Sequence, residues 1–339
     1  MWNPDTYFNS LEEQLKPAFS FEGQAEEWPA WREQLKTRFI EQLGGFPKQR
    51  ADLSPVLLER KELEGYVRER VEITTYTGLR MPMYVLIPRN KKGPFAPVVA
   101  LHGHGYGSKE IVGLEPDGKE RQGEPGRYKD FAIQLAERGF LVLVPELLGF
   151  GDRRLLADQH KPPEESSCNF ISARLLMQGQ TIAGYRVYET MRAIDYLAER
   201  PDVDLSRIGC MGISGGGLVA GFTAAVDERI HSTVISGYTN TFKGSILTRL
   251  HCFDNYVPGI LQTVEMPDLI SLICPRSLFI EAGKEDTVFP FEPVLQAHQR
   301  LEEVYRTVGA KDKLAYHFFD GGHEISGAES YDWLEQHLS

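Results

Sequence analysis

The chain has 339 residues but only four cysteines, Cys168, Cys210, Cys252 and Cys274, and no two form a CxxC pair. Neither a disulfide framework nor a zinc cluster is suggested, and buried free thiols are the expectation. No apolar run approaches the ~18 residues that a membrane span needs. Cations are in deficit: 37 Lys and Arg face 48 Asp and Glu, for a net charge of -11. Nucleic acids and anionic membrane surfaces reward clustered Lys and Arg, so neither is an expected partner, and a neutral small molecule fits better. Nucleotide loops are also missing. Neither Gly118-Lys119 nor Gly283-Lys284 is followed by Ser or Thr, and no G-x-G-x-x-G opens a helix. There is no internal repeat and no low-complexity tract. The opening MWNPDTYFNSLEEQLK is polar and acidic, without a basic start or an apolar signal core, which gives a cytoplasmic expectation.

What is present is the composition of a globular protein, 42% hydrophobic and 25% charged, at a length that suits one elaborated α/β domain. Residues 1–65 read as a helical N-terminal extension, because YFNSLEEQLKPAF and EEWPAWREQLKTRFIEQLG carry apolar side chains at helical spacing and GGFPK ends the second run. Its amphipathic face suits packing on a second copy of the chain. From Tyr66 the period falls to two through VRERVEITTYT and MPMYVLIPR, an antiparallel pair. Short apolar runs then alternate with helical stretches: APVVALHG, GFLVLVPE, RIGCMG, HSTVISG, PRSLFIEAG and KLAYHFFDG are the strands. Such alternation implies parallel strands joined by crossover helices, buried on both faces. Residues 66–339 thus form one catalytic domain. Two long segments, 147–179 and 238–269, interrupt the alternation just after strands, and loops of that length are usually functional or carry their own short helices.

The chemistry centres on Gly212-Ile213-Ser214-Gly215-Gly216, a G-x-S-x-G run that follows a β run and opens a helix. That is the strand, tight turn and helix of a nucleophile elbow, with the Ser214 hydroxyl projecting above the sheet and the Gly215 N–H at the positive end of the helix. Serine needs a general base, and His323, in a glycine turn after the last strand, is placed to reach back over the sheet edge. Asp286 follows the turn at Gly283 and is the favoured third member, ahead of Glu285 and Asp254. The glycine-rich LHGHGYG offers a second oxyanion donor, the backbone N–H of His104 or its neighbour Gly105, to complement Gly215. Aromatic candidates for the pocket are Tyr106, Phe150, Tyr238, Phe253 and Tyr256; Glu146, Asp152 and Arg153 are polar ones.

The set LHGHGYG, PELLGFGDRR, GISGGG, GKEDTVFP and GGHE resembles the α/β-hydrolase superfamily, in its dienelactone-hydrolase-like and acetyl xylan esterase-like branch. The resemblance covers about residues 66–339. It implies an α/β-hydrolase fold, with a mostly parallel eight-stranded sheet flanked by helices, and a Ser-His-Asp esterase that uses no cofactor and no metal. The chain departs from dienelactone hydrolases in having Ser214 where they carry Cys, and from the deacetylases in having Gly215 where they carry Gln. Two other activities share some of these signs. A prolyl-oligopeptidase-type serine peptidase has the same catalytic order, and a metal-dependent hydrolase would use His102 and His104 as a ligand pair.

Overall fold

The computed structural model describes residues 2–339. Helices α1 (Asp5–Gln14) and α2 (Trp28–Gln42) lead into three antiparallel strands, β1 (Val56–Glu62), β2 (Tyr66–Tyr76) and β3 (Leu79–Pro88). There follow β4 (Pro97–Leu101), α3 (Phe131–Glu137), β5 (Leu141–Pro145), α4 (Cys168–Leu176) and α5 (Ile182–Leu197). After these come β6 (Ile208–Ile213), α6 (Gly215–Val226), β7 (Ile230–Ser236), the short helices α7 (Ile260–Thr263) and α8 (Met266–Ile270), and β8 (Ser277–Gly283). Helix α9 (Phe291–Thr307), β9 (Leu314–Phe319) and α10 (Ser330–Leu338) complete the chain. The strands make one sheet in the order β1-β2-β3-β5-β4-β6-β7-β8-β9. From β5 to β9 every neighbouring pair is parallel.

Strands β4, β5, β6 and β8 are buried at every residue, as expected for strands covered on both faces. Helix α6 is buried along almost its whole length, and the Phe39 ring of α2 meets Phe222 of α6 edge-on at 5.0 Å. The N-terminal region therefore contributes Trp28, Leu35 and Phe39 to the main core. The sheet has one strand more than the eight implied by resemblance. The additional strand, β1, lies within the stretch read as a helical extension, and every residue of it is exposed. Its sequence VLLERKE shows no alternation because neither face is covered, and its charges suit an unprotected sheet edge. Both long inserts carry short helices of their own: α4 in the first, α7 and α8 in the second. Among the described residues no helix is long and apolar enough to cross a membrane.

Parallel strands send their carboxyl ends to one edge. The loops after β4, β6, β8 and β9 leave that edge, and they carry His104, Ser214, Asp286 and His323 respectively.

Candidate active site

Ser214 sits between β6 and α6 at φ 57° and ψ -125°, a left-handed backbone that a side-chain-bearing residue adopts only under constraint. Two hydrogen bonds impose it: Ser214 N–H donates to Ser236 O at 3.0 Å, and Leu218 N–H donates to Ser214 O at 2.9 Å. Close approach explains the flanking glycines. A Cβ on Gly212 would lie 2.2 Å from Gly216 O, and one on Gly216 would lie 2.1 Å from Leu101 O. Only hydrogen fits at either place. The Gly215 N–H, in the first turn of a helix, has no intrahelical acceptor.

His323 and Asp286 meet as an oriented pair, His323 Nδ1 lying 2.7 Å from Asp286 Oδ2. The other carboxylate oxygen, Oδ1, accepts Val288 N–H at 2.7 Å and Phe289 N–H at 2.9 Å, so the buried Asp286 is held from both sides. Phe289 also stacks on the imidazole, with centroids 5.7 Å apart. The alternatives for the acid fall elsewhere. Glu285 is exposed, and the buried Asp254 bonds Arg186 Nη1 at 2.6 Å and Asn255 Nδ2 at 2.7 Å. Ser214, Gly215, His104 and His323 line one cavity of about 230 Å³.

The His104 peptide is turned by its neighbours. Gly103 O lies 2.9 Å from His102 Nδ1, and because the carbonyl and N–H of a trans peptide point in opposite directions, the His104 N–H is directed away from that buried ring. His104 O is taken by the Tyr128 hydroxyl at 2.5 Å and by Arg127 Nη2. His102 itself cannot serve as a metal ligand. Its Nε2 lies 3.1 Å from the Leu147 nitrogen and its Nδ1 2.9 Å from the Gly103 carbonyl, so both ring nitrogens are engaged. Glu146 Oε1 lies 3.3 Å from the same Nε2 but finds its donors in the N–H and hydroxyl of Ser108, both at 2.8 Å. The reading that paired His102 with His104 as ligands is thereby corrected. A different set, His104, Cys252 and Asp254, offers donor atoms within 4.8 Å of one another. Asp254 is already neutralised by the buried Arg186, whose charge would repel a cation there. Burial pushes the Asp254 carboxyl up, but His104 and Arg186 outweigh it and hold the group below the usual carboxylate range.

The aromatic candidates are placed off this cavity. Tyr106 is pinned by its hydroxyl between Leu114 O at 3.0 Å and Arg121 Nη2 at 2.7 Å. Phe150 and Tyr238 are core residues, 1% exposed, the former under the Arg186 guanidinium and the latter edge-on to Phe222. Tyr256 and Phe253 line a separate, apolar cavity of about 360 Å³. Glu146, Asp152 and Arg153 are likewise structural: Asp152 pairs with Arg70 and Lys109, and Arg153 with Glu189. The residues that do line the Ser214 cavity include Arg127, Arg249, His251, Cys252 and Asn255, most of them from the second insert. Sequence reasoning marked that insert but chose within it by aromatic type, and aromatic side chains are usually drawn into cores.

Glu281, weighed from the sequence beside Glu285 and Asp286 and set aside because it falls inside the strand, has a positioning role that was not foreseen. It lies fully buried in β8, and its Oε2 accepts the Ser236 hydroxyl at 2.8 Å and Ser326 N–H at 3.1 Å, while Oε1 accepts Gly327 N–H at 2.8 Å and the Ser330 hydroxyl at 3.0 Å. This carboxylate ties the loop that carries His323 to the sheet. A carboxylate in an otherwise apolar strand was the available signal. In Glu281→Gln the amide group must face one of the two backbone N–H groups, which, unlike the hydroxyls, cannot turn to accept. A loss of about 2–3 kcal/mol is expected, read as a lower urea midpoint.

Known proteins resemble this chain in sequence and in fold. A family model described as Abhydrolase family matches residues 6–321. YtaP of Bacillus subtilis (strain 168), provisionally named a hydrolase, is 30% identical over 289 residues, covering 83% of this chain and 90% of that one. Among solved structures, a Bacteroides fragilis protein provisionally named an acetyl xylan esterase superposes with TM-score 0.79 at 16% identity, covering 94% of this chain and 83% of that one. A glucuronoyl esterase from Solibacter usitatus gives TM-score 0.67 at 17% identity, with 96% of each chain covered.

Proposed function

The chain belongs to the Abhydrolase family and is a hydrolase of α/β-hydrolase type, and from that premise we propose that it cleaves carboxylic esters through Ser214, His323 and Asp286. One observation carries the reading: a buried, doubly anchored carboxylate orients an imidazole that lines the same cavity as a serine at a strained strand-to-helix turn.

The chemistry runs in two halves. Ser214 Oγ attacks the ester carbonyl carbon while His323 Nε2 takes the hydroxyl proton, and Asp286 holds the imidazole with Nδ1–H toward itself and offsets the charge it gains. The oxygen of the tetrahedral intermediate takes up negative charge facing the N–H groups of Gly215 and His104. As the intermediate collapses the C–O bond breaks, and the alcohol leaves with the proton from His323. Water then attacks the acyl-enzyme, giving its proton to His323, and the acid is released as Ser214 recovers its hydroxyl. Short acyl groups suit a cavity of this size, and the names of the acetyl xylan and glucuronoyl esterases suggest sugar esters.

The test compares p-nitrophenyl acetate with aminoacyl p-nitroanilides and adds a fluorophosphonate. Ester turnover, abolished as the phosphonate labels Ser214, is the expected result. Turnover of anilides alone would replace the esterase reading with a peptidase. Activity that survives full labelling would remove Ser214 from the mechanism.

A further inference from the structure

The cavity above Ser214 is charged in the opposite sense to the protein around it. The chain carries a net -11, yet among the described residues lining this cavity there is no Asp or Glu, while Arg127 and Arg249 stand at it from two separate segments. Each guanidinium is held by neutral groups. Arg127 donates to His104 O and lies over the Tyr128 ring at 5.0 Å, and Arg249 Nη1 donates to Thr287 O at 3.0 Å. A backbone carbonyl orients a guanidinium without cancelling its charge. The arginines buried behind the site are treated differently, Arg153 being paired with Glu189 and Arg186 with Asp254. Glu110, the carboxylate that feels the charge of Arg127, bonds Tyr106 N–H at 3.2 Å, and its burial pushes it up. Burial also pushes the lining His251 down, toward its neutral form. The permanently charged side chains that line the cavity are therefore the two arginines, each with further N–H donors to offer.

We propose that the ester hydrolysed at Ser214 carries a carboxylate of its own, received by Arg127 and Arg249. The inference rests on the esterase reading and adds a substrate class to it. A planar guanidinium matches a carboxylate in geometry as well as charge, and such pairs are stronger than neutral hydrogen bonds. The whole-chain balance pointed to a neutral substrate; the two arginines lining the cavity beside the nucleophile point to an anion. A volume of about 230 Å³ restricts the part of the substrate that enters to a small group, so the carboxylate lies within a few bonds of the scissile carbonyl.

The carboxylate belongs to either the acyl or the alcohol half, and two substrate pairs separate these. Monomethyl succinate is compared with methyl 4-methylpentanoate, and 4-acetoxybenzoate with 4-acetoxybenzamide, each rate divided by that of spontaneous hydrolysis. In one pair the anion is expected to have about tenfold higher kcat/KM, chiefly through KM. In Arg127→Gln, Arg249→Gln and the double variant, the ratio of anionic to neutral substrate is expected to fall stepwise toward one. A ratio near one in both pairs of the unaltered enzyme, with the neutral esters turned over, overturns the inference and leaves the esterase reading intact. So does a preference that the arginine variants do not change. If none of the four is hydrolysed, turnover of p-nitrophenyl acetate decides whether the esterase reading fails. Calorimetric titration of the same compounds into Ser214→Ala then decides the anion site: tighter binding of the carboxylates, weakened in the arginine variants, supports it, and equal binding of each pair overturns it.

Discussion

Ser214→Ala is expected to lower kcat for a p-nitrophenyl ester by a factor of about 10⁴ or more, with the fold retained. The fold should survive because the backbone bonds that set the turn, Ser214 N–H to Ser236 O and Leu218 N–H to Ser214 O, do not involve the hydroxyl. The strain remains as well, since alanine at φ 57° meets the same clash between Cβ and backbone as serine does. This gives a second readout. Ser214→Gly removes the same hydroxyl and the Cβ, and relief of positive-φ strain outweighs the added freedom of the unfolded chain, so it should be more stable than Ser214→Ala by about 1 kcal/mol. Two inactive variants ordered in this way would show that the strain is held for the sake of the hydroxyl. Near-normal turnover by either variant would end the nucleophile assignment.

The parts of the molecule that could be read from the sequence are those where local pattern and tertiary position coincide. The runs APVVALHG, GFLVLVPE and RIGCMG are apolar without alternation because they lie between two helical layers, and they correspond to β4, β5 and β6. The elbow was legible because its glycines are demanded by contacts close at hand, Gly212 against Gly216 O and Gly216 against the neighbouring strand. Asp286 was separable from Glu285 because it stands next to the apolar VFPF run after the turn at Gly283, and of the two neighbours Asp286 is buried and Glu285 exposed. Strand β1 was invisible because an edge strand exposed on both faces has no hydrophobic period. The cavity lining was invisible for another reason. Arg127 and Arg249 are 122 positions apart and meet at Ser214 only through the path of two irregular segments, whereas the aromatic side chains that drew attention, Phe150 and Tyr238, are needed in the core.

Asp286→Asn is expected to lower kcat by roughly 10²–10⁴ while leaving stability close to that of the unaltered protein. The two oxygens of Asp286 have different duties. Oδ1 accepts the N–H groups of Val288 and Phe289, and Oδ2 faces His323 Nδ1. In the variant the amide oxygen must stay with the two backbone donors, since turning the amide would set N–H against N–H. The new NH₂ then faces His323 Nδ1 and favours the tautomer in which Nδ1 accepts and Nε2 carries the proton. An imidazole with a proton already on Nε2 cannot take one from Ser214, so the loss falls on the chemical step, with KM little changed. Asp286→Ala separates this effect from simple removal of the side chain: it strands two backbone donors and opens a void, and should cost about 2–4 kcal/mol of stability in addition to activity. Glu285→Gln, one position away and exposed, should alter neither. An Asp286→Asn enzyme with full kcat would mean that the carboxylate only closes the loop, and that another group orients the base.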